Sequence, residues 1–179
     1  MNWLMKEEPT HYSFDDLVRD GRTIWSGVRN PLAQRHLQSI RKGDLIFFYH
    51  TGDEKAVVGI AKAASAPYAD PADKSGKLYA IDVIPVKKLK SPVTLAAVKA
   101  DKAFSSFPLV RISRLSVMPV TDDEWNRIES MSGWVIFMIA ITYLEARSLT
   151  ARISLILENR AVIDRATDIF FFPGGKHPP

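Results

Sequence analysis

KGDLIFFYHTGDEKAVVGIAKA, residues 42–63, decides the fold. Leu45, Ile46, Phe47, Phe48 and Tyr49 form an apolar run without alternation, which predicts a strand covered on both faces or nearly so. Thr51-Gly52-Asp53-Glu54 is turn chemistry. Residues 56–64 then return as a second strand, in which Gly59 marks a bulge or a point of close approach. Working outward, residues 2–6 predict a short strand. Ser13-Phe14-Asp15-Asp16 has the cap-plus-acid spacing of a helix start, closed by Gly21. Residues 23–28 are extended. Asn30-Pro31 opens a second helix with apolar positions Leu32, Ala33, Leu37 and Ile40, ended by Lys42-Gly43-Asp44.

Downstream, residues 67–76 predict a polar loop and 78–90 a long strand. Pro85 within it points to an edge or a bulge. Ser91-Pro92 is expected to break that strand, residues 94–100 to form a short helix, and 109–117 to form a last strand. Thr121-Asp122-Asp123-Glu124 is a capping box opening a helix through Met131. Several closely spaced strands with short helices between them imply an α+β chain, a small mixed β-barrel with helices packed around it.

The chain divides into residues 1–132 and a C-terminal extension, 133–179. Residues 134–144 are nearly all apolar, and 144–164 are expected to be helical, with Leu149, Ile153, Ile156 and Leu157 on roughly one face. The extension holds five basic and four acidic residues, so it is not a basic arm. It fits a helical hairpin over the barrel, a dimer surface, or a stretch foreign to the domain.

The 179 residues can bury a real core, and a 46% hydrophobic, 25% charged composition is ordinary for a soluble globular protein. The net charge of +4 is compatible with a polyanionic partner without demanding one. There is no cysteine, which excludes disulfides, thiolate zinc sites and a cysteine nucleophile. The first eight residues carry charge and no apolar signal core, so no secretory leader is expected. The longest uncharged apolar run, 130–144, is shorter than the ~18 residues of a spanning helix, so no membrane partner is expected and the cytoplasm is the expected compartment.

No zincin, deaminase, serine-hydrolase or Gly-rich phosphate-loop motif occurs, and none of His11, His36, His50 and His177 has metal-ligand spacing to another. Neither a metal nor a cofactor is expected. Asp15-Asp16 and Asp122-Asp123 sit where a helix start favours carboxylates. What remains is aromatic and polar. Trp3, Tyr12, Trp25, Phe47, Phe48 and Tyr49 crowd into the first fifty residues, among Lys6, Glu8, Ser26, Arg29, Asn30 and His50. Flat rings stack on bases, and an extruded base also needs donors and acceptors along its edge. Each candidate has a plainer alternative. Trp25 can be core, Asn30 only a cap, and Arg111 and Arg114 a solvated face instead of phosphate contacts. Lys87, Lys88 and Lys90 can keep an edge strand soluble.

NWLMKEEPTHYSFDDL (2–17), IWSGVRNPLAQRHL (24–37), residues 42–63, SPVTLAAVKADKAF (91–104) and PLVRISRLSVMPVTDDEW (108–125) together resemble the EVE-domain family, of the PUA-like group. The resemblance covers residues 2 to about 131, with every block in order. It implies a PUA-like pseudobarrel and a reader of modified nucleobases, related in shape to YTH domains. By motif it implies Trp25, Ser26, Val28, Arg29 and Asn30 as pocket residues, with Lys6, Glu8, Pro9 and Tyr12 from one neighbouring block and Tyr49 and His50 from another. The family often has threonine where this chain has Glu7, and a bulkier residue at Pro31.

The leading expectation is therefore a non-catalytic binder of DNA or RNA carrying a modified base. Trp25 and either Tyr12 or Tyr49 would wall the pocket, Ser26 and Asn30 would read the base edge, and Lys6, Arg29 and Arg111 would favour the backbone. On this reading Trp25→Ala abolishes binding with little loss of fold, and the indole must line a hollow that solvent can reach. The first alternative is a nuclease or base-modifying hydrolase using Glu8, His50 or His11. That reading gains if Glu8 and His50 lie close together in a cleft and weakens if they point apart. The second is a small-ligand-binding or dimerisation domain. The oligomeric state is open, with a monomer favoured.

Overall fold

The computed structural model describes residues 1–133. The expected helix at 144–164, and the roles considered for the extension, lie outside the described residues. Towards one edge of the sheet, β1 (Asn2–Glu7) runs parallel to β3 (Leu45–His50) and antiparallel to the edge strand β7 (Val117–Val120). β4 (Ala56–Ala63) is antiparallel to β3, and β6 (Tyr79–Thr94) is antiparallel to β4. β2 (Thr23–Trp25) closes on β6, giving the order β2-β6-β4-β3-β1-β7, with the two-residue β5 (Tyr68–Ala69) paired to the start of β6.

This mixed sheet curls into a half-barrel, the expected PUA-like pseudobarrel. Around it lie α1 (Phe14–Asp20), α2 (Pro31–Ser39), α3 (Leu95–Ala100), α4 (Pro108–Arg111) and α5 (Asp122–Met131). The parallel β1–β3 pair needs a crossover, and residues 8–44 supply it with α1, β2 and α2.

The run 45–50 lacks alternation because both faces of β3 are covered. Phe47 stacks on Trp125 of α5, centroids 3.7 Å apart, while Phe48 turns its ring to Phe14 and Trp25 on the other side. Gly59 is a close approach, as expected. A Cβ there would lie 2.4 Å from the Phe14 ring, and the β3–β4 and β4–β6 registers both shift around it. Ser13 and Thr121 close complete capping boxes at α1 and α5, and Gly21 ends α1 in the left-handed region.

Several expectations are corrected. Residues 109–117 are not a strand: Pro108 starts α4, turns follow, and β7 begins only at Val117. Phe107, Leu109 and Leu115 anchor this segment in the core, and Pro108 supplies the fixed φ of a helix's first turn. Ser91-Pro92 does not break β6, which continues to Thr94. Residues 89–92 fall in the register shift between the Val57–Val93 and Gly59–Lys88 pairs, a bulge in which the proline interrupts no ladder pair. The loop 67–76 contains β5. α2 ends at Ser39 with Ile40 as its cap. Leu32 is 38% exposed, and Gln34 takes a buried place on that helix instead. Among the described residues no helix is long and apolar enough to cross a membrane.

Candidate functional site

β2 ends at Trp25, and the chain then passes through Ser26 and Gly27 to the cap of α2. Three polar side chains fix this passage. The Gly27 N–H donates to the buried Asp70 carboxylate at 2.8 Å, with Gly27 at φ 72°, a conformation glycine adopts without strain. The Gln34 side-chain amide donates to the Val28 and Tyr79 carbonyls at 2.7 and 3.2 Å and accepts from the Tyr79 N–H at 3.0 Å, tying the loop to β6. Asn30 accepts from the N–H groups of Leu32 and Ala33 at 2.9 and 3.1 Å, the expected N-cap.

Held this way, the Trp25 ring lies edge to face on Phe48 and is 6% exposed. It lines a hollow of about 200 Å³ together with Glu7, His11, Tyr12, Thr23, Ile24 and Ser26. The volume falls below the ~300–1,000 Å³ typical of sites for drug-sized ligands and suits a single flat ring. Trp25 is thus both core and wall, and Trp25→Ala is a core truncation, contrary to the expectation of little loss of fold.

The walls carry donors and acceptors. The Glu8 carbonyl accepts from the N–H groups of His11 and Tyr12, both at 2.9 Å, in a turn with Pro9 at its second position. That turn carries Tyr12 to the hollow, where its hydroxyl donates to Asp20 at 3.0 Å. Burial, joined by the Asp20 charge, raises the Tyr12 pKa and keeps the phenol protonated. Glu7 Oε1 accepts from the Glu8 N–H at 3.0 Å and lies 3.2 Å from His11 Nδ1. Serine and threonine hydroxyls, a carboxylate, an imidazole and two aromatic rings therefore face one small space.

Other residues implied by the resemblance lie elsewhere. Successive side chains of a strand point to opposite faces, so Lys6 faces away from Glu7. Lys6 and Tyr49 are register partners, and both line a second hollow with Lys55, Lys99 and Leu109. Tyr49 therefore does not wall the Trp25 hollow, and Tyr12 does. His50 is buried: its Nε2 accepts the Phe14 N–H at 3.0 Å, so the ring proton sits on Nδ1, which meets Glu54 at 2.6 Å. It caps the start of α1. The Glu8 carboxylate accepts from the Thr51 hydroxyl at 2.7 Å and lies against Gly52.

Glu8 and His50 thus have separate partners, and among the described residues no hydrogen bond joins them, which weakens the hydrolase reading built on that pair. Val28 is buried in the core. Arg29 and Arg111 are exposed, and Arg111 and Arg114 belong to α4 and its following turn, not to a strand. Sequence reasoning missed Glu7, Thr23 and Ile24 and weighed His11 only as a catalyst.

A larger concavity, about 880 Å³, runs along α5. Its charged lining is Asp101, Asp123 and Glu124 against Arg127, the wrong sign for a polyanion. Among the described residues no group of three His, Asp or Glu is placed to hold a metal ion.

Comparison with known proteins agrees with this architecture. The family profile described as EVE domain matches residues 1–131. The NMR structure of Rpa0253 from Rhodopseudomonas palustris is 44% identical, covers 74% of this chain and 93% of its own, and superposes with a TM-score of 0.71. Thymocyte nuclear protein 1 of Homo sapiens is 29% identical, over 73% of each chain. A crystal structure of human THYN1 in complex with 5-methylcytosine-containing DNA is 28% identical with a TM-score of 0.67, covering 73% of this chain and 96% of that one.

Proposed function

The chain belongs to the EVE-domain family, and from that premise we propose that it is a non-catalytic DNA-binding module that receives a modified base in the Trp25 hollow. The observation that carries this reading is the hollow itself. Trp25 and Tyr12 offer flat faces, and Ser26, Thr23, Glu7 and His11 offer edge partners, in a space sized for one ring. The DNA in the structure of the human relative contains 5-methylcytosine, which supports a methylated cytosine as the first candidate ligand.

A base leaving the stack costs a few kcal/mol, offset by stacking worth about 1–3 kcal/mol and by its edge contacts. The methyl group adds roughly 0.8 kcal/mol when buried, which is less than a tenfold change in affinity. Arg29, exposed on the loop that follows Trp25 and Ser26, would meet a phosphate on this reading.

The test is an anisotropy titration of two duplexes of one sequence, one with 5-methylcytosine and one with cytosine. The methylated duplex is expected to bind several-fold tighter. Tyr12→Ala, a half-buried position less costly to truncate than Trp25, is expected to weaken the methylated duplex at least tenfold and to erase the preference. Equal affinity of the wild-type chain for both duplexes rejects the reader.

A further inference from the structure

The second hollow lies on the face of β1 away from Trp25 and is about 200 Å³ in volume. Three of its lining residues are lysines: Lys6, Lys55 and Lys99. Lys6 is half-buried, yet its ammonium donates at 2.5 Å to a neutral acceptor, the Ser113 carbonyl, and otherwise lies 5.9 Å from the centre of the Tyr49 ring. No carboxylate pairs with it among the described residues. Tyr49 is 3% exposed, and its hydroxyl has no hydrogen-bond partner among the described residues. A buried hydroxyl without a partner is rare in folded proteins and costly.

Lys55 and Lys99 are exposed and form no ion pair among the described residues. Lys55 also holds φ 44°, the left-handed region that non-glycine residues seldom occupy. Its carbonyl accepts from the Leu95 N–H at 2.7 Å, which fixes it at the rim. Strained backbone of this kind collects at ligand sites. Of the acidic groups near the rim, Glu8 accepts from the Thr51 hydroxyl at 2.7 Å, Glu54 meets His50 Nδ1 at 2.6 Å, and Asp53 is exposed in the turn. Burial lowers the Lys6 pKa and pushes that of Tyr49 up to about 12, which keeps the Tyr49 phenol a proton donor at neutral pH.

The geometry points to a binding site for a phosphate group in this hollow, with the Lys6 ammonium and the Tyr49 hydroxyl donating to its oxygens and Lys55 and Lys99 supplying charge at the rim. A phosphate has several acceptor oxygens, and this site offers donors and cations from β1, β3, α3 and the turn between β3 and β4. The site is independent of base reading, because it shares no lining residue with the Trp25 hollow. The group can belong to a free phosphate-bearing small molecule or to a nucleic-acid backbone.

The test is a titration of the full chain with inorganic phosphate, followed by amide shifts in two-dimensional NMR. Saturable shifts centred on Thr51, Gly52 and Ser113 are expected. Lys6→Met is expected to weaken binding at least tenfold. Tyr49→Phe, which keeps the ring and the fold, is expected to weaken it about threefold or more. Trp25→Phe is expected to leave it unchanged, which separates failure of this site from failure of the base reader. Chloride at matched ionic strength reproducing the shifts, or Tyr49→Phe and Lys6→Met titrating like the wild type, overturns the proposal. Competition by an unmodified duplex assigns the phosphate to a DNA backbone, and lack of competition assigns it to a small molecule; each result supports the site and identifies its source.

Discussion

Trp25 and Phe48 meet edge to face, their ring centroids 5.3 Å apart and their planes at 85°. Phe48 also meets Phe14 at 5.4 Å and His50 at 5.6 Å, so one ring joins the hollow, the start of α1 and β3. Truncating either partner removes a buried aromatic. Trp25→Ala and Phe48→Ala are each expected to cost about 3–5 kcal/mol. The two together should cost less than the sum, because they share a contact. Denaturant unfolding followed by circular dichroism checks this, and a loss under 1 kcal/mol for Trp25→Ala would show the indole to be loosely held.

Gly59 is required by the Phe14 ring and not by its own backbone angles. A Cβ at 2.4 Å from that ring forces Phe14 or β4 to move. Gly59→Ala is expected to destabilise by about 1–3 kcal/mol, the usual cost of overpacking a core. Combining it with Phe14→Leu should recover part of that loss. Strictly additive losses in the double variant would show that the strand, not the ring, resists the methyl.

Asn30 can be tested for two roles at once. As a cap of two N–H groups its replacement by alanine is expected to cost about 1 kcal/mol, and serine should restore most of it. If Asn30 also reads a base edge, Asn30→Ser regains stability without regaining affinity for the methylated duplex. Thermal melts and the anisotropy titration, run on the same three proteins, separate the roles.

Acid should destabilise the chain in a defined window. Hydrogen bonds from Ser13, with Arg19, hold Asp16 at about 2. Asp44 is also lowered: burial works against its charge, but the Arg41 N–H, the Trp3 indole N–H and the terminal ammonium outweigh it. Asp82 is lowered first by the Arg22 guanidinium. Each folded pKa lies below its unfolded value. The stabilisation is therefore fully present above pH ~4 and disappears as pH falls toward 2. The melting temperature is expected to be steady near pH 6 and to fall steeply below pH 4. Asp44→Asn should lower the plateau and soften the fall. A wild-type midpoint constant from pH 6 to 2.5 contradicts the assignment.

Legibility followed the range of the forces involved. Ser13, Asn30 and Thr121 were readable as caps because a cap is decided within three or four residues. The buried strand at 45–50 was readable because its apolar run has no alternation to lose. The segment 109–117 was misread because Val110 and Ile112 have strand propensity, while Phe107, Leu109 and Leu115 take core positions reached by a short helix and turns. Ser91-Pro92 was misread because a proline breaks a paired strand but is tolerated in a bulge, and the bulge is set by the register with β4.

The candidate site divides in the same way. Trp25, Ser26 and Tyr12 stood out as aromatic and polar residues in short blocks, and the hollow does bring them together. Strand runs and helix caps read by themselves as a small mixed barrel with helices around it, and the resemblance of the ordered blocks to the EVE-domain family implies the pseudobarrel. Which face each residue of a block serves was decided only in three dimensions. Lys6 and Glu7 are neighbours in the chain, yet the two-residue period of β1 sends one to a lysine-lined hollow and the other to Trp25. His50, polar and next to Tyr49, is drawn inside because the first N–H of α1 needs an acceptor, and no pattern local to residue 50 carries that requirement.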